Sequence, residues 1–356
     1  MVHVAVAGAG AFGRNHLRVY RDLEAAGVDI QLVAAIEPHE QRAAAAASQY
    51  GIQVFQSVDD LLRAGVRVDA ASVAVPTVHH HQVASALLEA GIDVLAEKPL
   101  AATLAEADEL IALAARGKRI LQPGHLERFN PAVLAVQSQL RRPMFFEAHR
   151  LSVFTPRALD VDVVLDLMIH DLDIVLTFAN SPVREVRAVG LPILSPRVDI
   201  ANVRVEFDSG CVANFTASRV STEKVRKLRF FQPRQYVSID YARRELLVIK
   251  LDRAVPAEIA AAISSGRMDA RMLAQFGAAS AAGPAPGLNF LKPEVAPGEP
   301  LRLEIESFLD SVRTRREPRV TAKQGREALA LALEIQSSME THADRAGLGD
   351  FFNPGA

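Results

Sequence analysis

Short apolar runs alternate with helical stretches along the first third of the chain. Runs rich in Val, Ala and Ile predict strands at residues 2–7, 31–36, 54–55, 70–75, 94–96 and 119–121. Helical spacing of apolar positions predicts helices at residues 13–26, 39–50, 58–64, 80–90 and 104–115. Continuous apolar strands that alternate with helices are typical of a parallel sheet covered on both faces. We therefore predict a doubly wound, Rossmann-type α/β domain over residues 1–122.

The pattern changes after Gly124. Helices are predicted after Asn130-Pro131 and at residues 163–178, and strand-like runs follow at residues 183–191, 201–207, 212–218, 227–231, 236–241 and 244–251. Short turns such as Asp208-Ser209-Gly210 favour antiparallel pairing. We therefore expect residues 123–356 to form an α+β domain with a large, mainly antiparallel open sheet. One face of that sheet would make a homodimer or homotetramer.

Two further features complete the second domain. Residues 252–298 are rich in Ala, Gly and Pro, and they predict an irregular insertion. It is interpreted as a lid, an oligomer contact or a mobile surface loop. Residues 301–312 and 325–339 have amphipathic helical patterns.

Composition narrows the class of protein. A length of 356 residues suits two domains, and a net charge of −2 argues against a general nucleic-acid binder. The single cysteine, Cys211, excludes an intramolecular disulfide and fits a reducing compartment. The sequence has neither a stretch of about 18 apolar residues nor a secretory signal. We expect a cytoplasmic protein that does not bind membranes.

The run Gly8-Ala9-Gly10-Ala11-Phe12-Gly13 follows the first predicted strand and opens the first predicted helix. In that context G-x-G-x-x-G predicts a dinucleotide site, because the glycines permit a tight turn and close approach of a pyrophosphate. Glu37 ends the second strand, where a carboxylate accepts from ribose hydroxyls and repels a 2′-phosphate. NAD is therefore favoured over NADP. Arg42 leaves dual use open, and a ligand-free turn is the alternative interpretation.

Polar residues also follow two later strands and line one predicted helix. Two predicted parallel strands end in motifs of this kind: one in Val75-Pro76-Thr77, with His80 beyond it, and the other in Glu97-Lys98-Pro99. Open α/β sheets bind their ligands at such strand ends. On the helix at residues 163–178, Asp166, His170 and Asp173 fall within roughly 60° of one another at about 100° per residue. Burying three ionisable groups is costly unless they pair or take part in chemistry.

These motifs resemble the Gfo/Idh/MocA oxidoreductase family, and the resemblance extends to Glu306-Ser307-Phe308 and Pro318-Arg319-Val320. It implies that Lys98, Asp166 and His170 border the nicotinamide and the substrate. One departure is Asp162-Val163-Val164-Leu165, where many members have glycines. The expected cofactor contacts are Gly8, Gly10, Ala11, Phe12, Gly13, Glu37, Pro76, Thr77, His80, Glu97 and Lys98.

If the reaction is the dehydrogenation of an alcohol, Lys98, Asp166 and His170 each have a role in it. His170 is the hypothetical general base, since an unperturbed histidine pKa of about 6.5 suits proton transfer near neutral pH. Lys98 would stabilise the developing alkoxide, and Asp166 would bind the substrate or orient the base. The alternative interpretation is that His170 is a core histidine whose ring nitrogens are hydrogen-bonded within the protein.

The segments 124–131, 166–173 and 216–219 resemble the branch of the family that acts on UDP-linked N-acetylhexosamines. This implies oxidation of the 3-hydroxyl of UDP-N-acetylglucosamine to a ketone, which an aminotransferase converts further towards lipid A. Arginines suit the two phosphates of a UDP-sugar. The expected substrate contacts are Lys98, Arg128, Asn130, Asp166, His170 and Arg219.

Other interpretations stay open. UDP-N-acetylglucosaminuronate, free sugars or inositol are alternative substrates, and a cofactor-sensing regulator without turnover is an alternative class. His79-His80-His81 does not predict a metal site, because adjacent side chains point in different directions. We therefore expect no metal site. Of the three histidines, we expect only His80 to lie near the cofactor.

Overall fold

The computed structural model describes residues 1–155, 161–251 and 288–348. The first part of the chain alternates strands and helices in this order: β1 (Val2–Ala7), α1 (Gly13–Ala25), β2 (Ile30–Ile36), α2 (Glu40–Tyr50), β3 (Gln53–Phe55), α3 (Val58–Arg63), β4 (Ala70–Val73), α4 (His80–Glu89), β5 (Asp93–Glu97), α5 (Leu104–Gly117) and β6 (Leu121–Gly124).

The remaining elements are mostly strands. They are α6 (Pro131–Val136), β7 (Phe145–Leu151), α7 (Ile169–Ala179), β8 (Val183–Leu191), β9 (Ile200–Phe207), β10 (Val212–Ser218), β11 (Val225–Gln232), β12 (Gln235–Asp240), β13 (Glu245–Leu251), β14 (Leu288–Leu291), α8 (Pro300–Thr314) and α9 (Ala322–Arg345).

The described residues divide into two compact units. The first consists of Met1–Phe129 and Gly298–Glu334, and the second of Asn130–Pro297 and Ile335–Ala356. The sequence placed all of residues 123–356 in the second domain, so the segment 298–334 differs from that expectation. Its position follows from α8, whose apolar stripe of Leu301, Ile305, Phe308, Leu309 and Val312 packs into the same hydrophobic cluster as α1 and β1.

The first unit is built on a six-stranded sheet in the order β3-β2-β1-β4-β5-β6, and every neighbouring pair is parallel. This order reverses direction between β1 and β4, which is where doubly wound folds bind dinucleotides. The sheet is covered by helices, and its central strands are mainly apolar, as in Val4, Val6 and Val94, with Ser72 the buried polar residue of β4. The predicted doubly wound parallel sheet is confirmed.

The second unit contains an eight-stranded sheet in the order β14-β13-β12-β11-β7-β10-β9-β8. All pairs are antiparallel except β7 with β10, so the prediction of a mainly antiparallel sheet is confirmed. On one face, Phe178 of α7 packs against Phe230 with ring centroids 6.2 Å apart.

Two strands were not predicted. In β7 the positions buried in alternation are Phe146, Ala148 and Arg150, and the arginine breaks the apolar pattern that a strand is expected to show. β14 lies inside the segment predicted as an irregular insertion, and it pairs with β13. Residues 252–287, which carry most of that insertion, lie outside the described residues.

Arg219 has a structural role in the second unit that the sequence did not predict. Its Nε donates to Asp199 Oδ1 at 2.8 Å, and its Nη2 donates to the carbonyl of Val161 at 2.9 Å. The side chain is 3% exposed. The structure therefore corrects the expectation that Arg219 contacts substrate phosphate: its guanidinium is held in an internal ion pair.

Asp199 is the centre of this arrangement. Its Oδ2 accepts from the backbone N–H groups of Ile193 at 2.8 Å and Leu194 at 2.6 Å, and its Oδ1 accepts from the Ser195 hydroxyl at 2.7 Å. Burial alone would raise the pKa of Asp199, but these hydrogen bonds and Arg219 outweigh it and lower the pKa to about 2. A carboxyl with a lowered pKa stabilises the fold only while it is ionised.

We expect Asp199→Asn to reduce the free energy of unfolding by at least about 2 kcal/mol near neutral pH. The folded pKa lies below that of the unfolded chain, so the stabilisation is complete above about pH 4 and is lost as the pH falls towards about 2. Urea unfolding of both proteins across this range measures the effect. Asp208→Asn, at an exposed turn position, is the control. A difference between wild type and Asp199→Asn that does not shrink in acid would contradict the assignment.

Candidate active site

The turn from β1 to α1 uses its three glycines in three different ways. Gly8 has φ +93°, and a Cβ there would lie 2.6 Å from the carbonyl oxygen of Ala74. A Cβ on Gly13 would lie 1.8 Å from the carbonyl oxygen of Gly8. Gly10 faces open space, since the nearest atom to a Cβ there is Arg42 Nη1 at 3.9 Å. Gly8 and Gly13 thus close the turn, while Gly10 leaves room above it.

That open space is part of a cavity of about 650 Å³ in the first unit. A volume of this size is within the range of small-molecule and cofactor sites. The cavity collects the carboxyl ends of β1, β2 and β4, and of the predicted cofactor residues it includes Gly8, Gly10, Ala11, Glu37 and Pro76. Phe12 is 39% exposed beside this turn, and Thr77 begins a short 3₁₀ turn beyond Pro76.

The residues of this cavity fit a dinucleotide. Among the described residues, no side chain caps the N-terminus of α1, so its backbone N–H groups and the positive end of its dipole are directed at the turn. The lack of a Cβ at Gly10 gives a pyrophosphate room to approach the backbone.

Glu37 lies where the ribose acceptor was predicted. It is 3% exposed, and its Oε2 accepts from the N–H of Ala9 at 2.8 Å while its Oε1 accepts from that of His39 at 3.0 Å. Arg42 Nη2 is 3.2 Å from the same Oε1. The backbone of the glycine turn therefore fixes the position of this carboxylate.

His80 has a different role from the one predicted. It is 1% exposed, with Nδ1 2.8 Å from the carbonyl of Pro99 and Nε2 2.9 Å from that of Val75. Burial lowers its pKa, although the two carbonyls act in the opposite direction. His80 thus joins the two loops that follow β4 and β5, and His79 lines the cavity instead. This corrects the expectation that His80 alone approaches the cofactor.

The Glu97-Lys98-Pro99 turn follows β5, as predicted. Glu97 is 7% exposed and points inward, and its Oε1 is 2.9 Å from His16 Nε2. His16 Nδ1 lies 3.0 Å from the hydroxyl of Ser72, which is 2.8 Å from that of Tyr20. Lys98 is partly exposed next to this buried group. Glu97 therefore has an internal hydrogen-bond partner that the sequence analysis missed.

A signal for His16 was present in the sequence. It lies on the same face of α1 as Leu17 and Tyr20, and all three are 0% exposed. A buried imidazole on an apolar helix face requires hydrogen-bond partners. Only the fold shows that these partners come from β4 and β5.

In the second unit, the helix predicted at residues 163–178 has two parts. Val164–Met168 is a π-helical turn, and α7 follows it from Ile169. Asp166 lies in the π turn and His170 in the first turn of α7, and both are partly exposed, whereas Asp173 is 2% exposed. The angles predicted from α-helical geometry therefore do not hold across this segment. π-helical turns inside helices are frequent at functional sites.

The start of this segment and α7 are held by polar contacts. Asp162 Oδ1 accepts from the N–H groups of Val164 at 2.9 Å and Leu165 at 3.0 Å. Arg150 of β7 pairs with Asp171 through Nε at 2.7 Å and Nη2 at 3.1 Å. Both partners are buried, and the sequence did not identify this pair.

Two predicted substrate residues have structural contacts. Asn130 is 2% exposed, its side-chain oxygen accepts from the N–H of Ala132 at 3.1 Å, and its Nδ2 donates to the carbonyl of Tyr241 at 3.1 Å. It caps α6, which corrects its assignment as a substrate contact. Arg128 is 6% exposed and donates to Gln324 Oε1 at 3.0 Å. Burial, and next the positive charge of Arg128, lower the pKa of Arg319.

Within residues 1–155, 161–251 and 288–348, no group of three or more His, Cys, Asp or Glu side chains could hold a metal ion. Over the same part of the chain, no helix combines the length and apolar character needed to cross a bilayer.

Comparison with known proteins assigns the family. Residues 2–125 match an oxidoreductase family with an NAD-binding Rossmann fold, and residues 132–234 match the Gfo/Idh/MocA C-terminal domain. The chain is 33% identical over 351 residues to UDP-N-acetylglucosamine 3-dehydrogenase of Acidithiobacillus ferrooxidans, covering 97% of this chain and 100% of that protein. The chain belongs to the Gfo/Idh/MocA oxidoreductase family.

Solved structures agree with this membership. The structure of the Acidithiobacillus ferrooxidans enzyme superposes with a TM-score of 0.81 at 32% identity, over 96% of this chain and 99% of that one. Levoglucosan dehydrogenase in complex with NADH gives a TM-score of 0.79 at 16% identity, over 96% and 97% of the two chains, a likeness of fold alone. As a Gfo/Idh/MocA protein, the chain is an NAD-dependent oxidoreductase, and NAD is its cofactor.

Two glycine substitutions should separate folding from cofactor binding. Gly10→Ala adds a Cβ where space is open, so we expect unchanged thermal stability and at least a tenfold weaker affinity for NAD. Gly13→Ala forces a Cβ against the Gly8 carbonyl, so we expect a lower melting temperature even without cofactor. Calorimetric NAD titration and thermal unfolding measure the two effects. Equal NAD affinity in Gly10→Ala and wild type would show that the phosphates do not approach this turn.

Proposed function

We propose that this protein oxidises the 3-hydroxyl of UDP-N-acetylglucosamine to the 3-keto sugar nucleotide. The observation that carries the proposal is the 33% identity with a UDP-N-acetylglucosamine 3-dehydrogenase along the whole of that protein's length. A relative aligned from end to end shares both the cofactor domain and the domain that would hold the sugar. Inositol 2-dehydrogenase 1 of Saccharopolyspora erythraea, by contrast, aligns over 39% of this chain and 41% of its own.

We propose that Lys98, Asp166 and His170 carry the chemistry. A ring nitrogen of His170 would take the proton of the sugar hydroxyl, and the Lys98 ammonium would donate a hydrogen bond to the same oxygen as negative charge develops. Asp166, in the π-helical turn, would bind the sugar or orient the base. NAD, when bound, accepts the hydride from the carbon. The product is a ketone, which is the functional group that an aminotransferase consumes.

Two features of the first unit support the choice of ligands. Glu37, fixed by two backbone N–H groups, is placed to accept from ribose hydroxyls and to repel a 2′-phosphate, which favours NAD over NADP. The positive charge of Arg128 acts on Arg319, since it contributes to lowering the pKa of that guanidinium. Arginine suits a diphosphate, because guanidinium groups bind phosphate oxygens in bidentate geometry. We propose Arg128 as the phosphate contact.

The activity assay follows reduction of the cofactor by absorbance. We expect UDP-N-acetylglucosamine with NAD to give the fastest turnover, and UDP-N-acetylglucosaminuronate, inositol, glucose or NADP to give less. Lys98→Met and His170→Ala should each lower kcat by about 10²–10⁴-fold while NAD still binds.

Other results of the assay would indicate a different substrate, different catalytic residues or a protein without turnover. Faster oxidation of a free polyol refutes the sugar-nucleotide substrate, and near-normal rates in both variants refute the assigned residues. NAD binding without turnover of any of these substrates favours a cofactor-sensing regulator.

We also propose that the sheet of the second unit makes a homo-oligomer. Phe145, Phe231, Tyr236, Ile249 and Phe290 are register partners across β7, β11, β12, β13 and β14. Phe231 is 38% exposed and stacks with Phe145 and Tyr236 at centroid distances of 5.5 and 5.2 Å. A row of apolar side chains on an exposed sheet face is typical of a surface that a second copy covers.

Phe231→Arg should disrupt this assembly, because it places a charge within the apolar row, between Tyr236 and Phe145. We expect sedimentation analysis to give a dimer or tetramer for the wild type and a smaller species for the variant. Leu62→Arg makes the same type of change at a position of α3 that is 41% exposed, and it should leave the mass unchanged. A wild-type monomer, or a Phe231→Arg protein of wild-type mass, would contradict the proposal.

A further inference from the structure

One buried hydrogen-bonded chain in the first unit connects α1, the helix that follows the cofactor turn, to the Glu97-Lys98-Pro99 turn. It runs from Tyr20 through Ser72 and His16 to Glu97. Tyr20, Ser72 and His16 are each 0% exposed, and Glu97 is 7% exposed. Burial of polar groups is costly unless their hydrogen bonds are made. A chain of this kind therefore constrains the elements that contribute to it.

The direction of the donors follows from the acceptor at its end. A carboxylate can only accept, so Nε2–H of His16 donates to Glu97 Oε1. In the neutral imidazole, Nδ1 of His16 accepts from the hydroxyl of Ser72, and Ser72 accepts from the hydroxyl of Tyr20. In that arrangement every donor points towards Glu97, and hydrogen bonds aligned in this way strengthen one another.

The two ends of the His16–Glu97 bond belong to functionally different segments. His16 lies in the first turn of α1, three residues after Gly13, whose backbone closes the phosphate turn. Glu97 is the last residue of β5, and the next residue is Lys98. Glu97 is also enclosed on its far side, since a Cβ on Gly124 would lie 3.0 Å from Glu97 Cα and from its Oε1. Glu97 is thus fixed between α1 and β6.

We propose that His16 and Glu97 are positioning residues that couple the phosphate-binding turn to the placement of Lys98. The proposal rests on the function proposed above, in which Lys98 contacts the reacting oxygen. Dinucleotide phosphates bound at the start of α1 restrain His16, and His16 restrains Glu97 and the backbone that carries Lys98. Neither His16 nor Glu97 needs to touch the substrate for this effect.

The first test needs no turnover. ADP-ribose has both phosphates but no nicotinamide, so it occupies the turn without a nicotinamide ring to contact Lys98. We expect ADP-ribose to slow amide hydrogen exchange in the peptide of residues 97–101 at least threefold in the wild type, and to have no such effect in His16→Leu. His16→Gln keeps an N–H donor for Glu97 and should restore most of the response.

A matched control separates coupling from general destabilisation. Val19→Ala truncates a side chain of the same helix that is 1% exposed and does not contribute to the chain. It should lower the melting temperature but keep the exchange response. The coupling is refuted if ADP-ribose does not slow exchange at residues 97–101 in the wild type. It is refuted equally if His16→Leu and the wild type respond alike.

The second test is kinetic and uses UDP-N-acetylglucosamine with NAD. We expect His16→Leu to lower kcat about 10–100-fold while the KM for NAD changes less than threefold, because a small misplacement of a reacting group is costly. In a Lys98→Met background, His16→Leu should cause no further loss of kcat. Additive losses would overturn the proposal. If the wild type oxidises no sugar, the proposed function has failed, and the exchange experiment still decides the coupling.

Discussion

The contact between the backbones of Gly8 and Gly13 is the constraint on which the first unit depends. A Cβ at residue 13 would lie 1.8 Å from the Gly8 carbonyl oxygen, so α1 can start this close to β1 only without a side chain there. Gly8 is confined in the same way by the carbonyl of Ala74, which follows β4. These two contacts draw together the ends of β1 and β4 and the start of α1. The cavity for the dinucleotide results from that approach.

Close packing at this turn has a consequence for the polar groups beneath it. The inward face of α1 carries His16 and Tyr20 into a region without solvent, where each must find a partner from the sheet. In the second unit, Arg150 and Asp171 are buried together in the same way. Buried ion pairs contribute little net stability, but the loss of one partner leaves a charge without compensation. These pairs therefore specify which elements lie next to each other more than they strengthen the fold.

How much could be predicted from the sequence depended on the range of the interaction. The parallel sheet and the place of Glu37 follow from local patterns, because strands buried on both faces are continuously apolar and the acidic residue directly follows one of them. β7 was missed because Arg150 occupies a buried strand position, and its partner Asp171 is on another element. Asn130 and Arg219 were assigned to substrate because they lie within segments that carry the family resemblance, and their partners, Tyr241 and Asp199, are too distant in sequence for local patterns to identify. The π-helical turn was missed because apolar spacing alone does not distinguish it from an α-helical one.

Glu37 illustrates how one side chain can satisfy both folding and recognition. Each carboxylate oxygen can accept two hydrogen bonds; one oxygen already accepts from the Ala9 N–H, and the other from the His39 N–H. Capacity is left for a ribose hydroxyl, and the backbone bonds keep the carboxylate from rotating away from it. A side chain without an acceptor oxygen, such as that of alanine, would admit a 2′-phosphate but would also remove the acceptor for the Ala9 N–H, inside the glycine turn itself. Cofactor choice and the shape of the phosphate turn are therefore linked, so a change of specificity at residue 37 requires a substitute acceptor for that N–H.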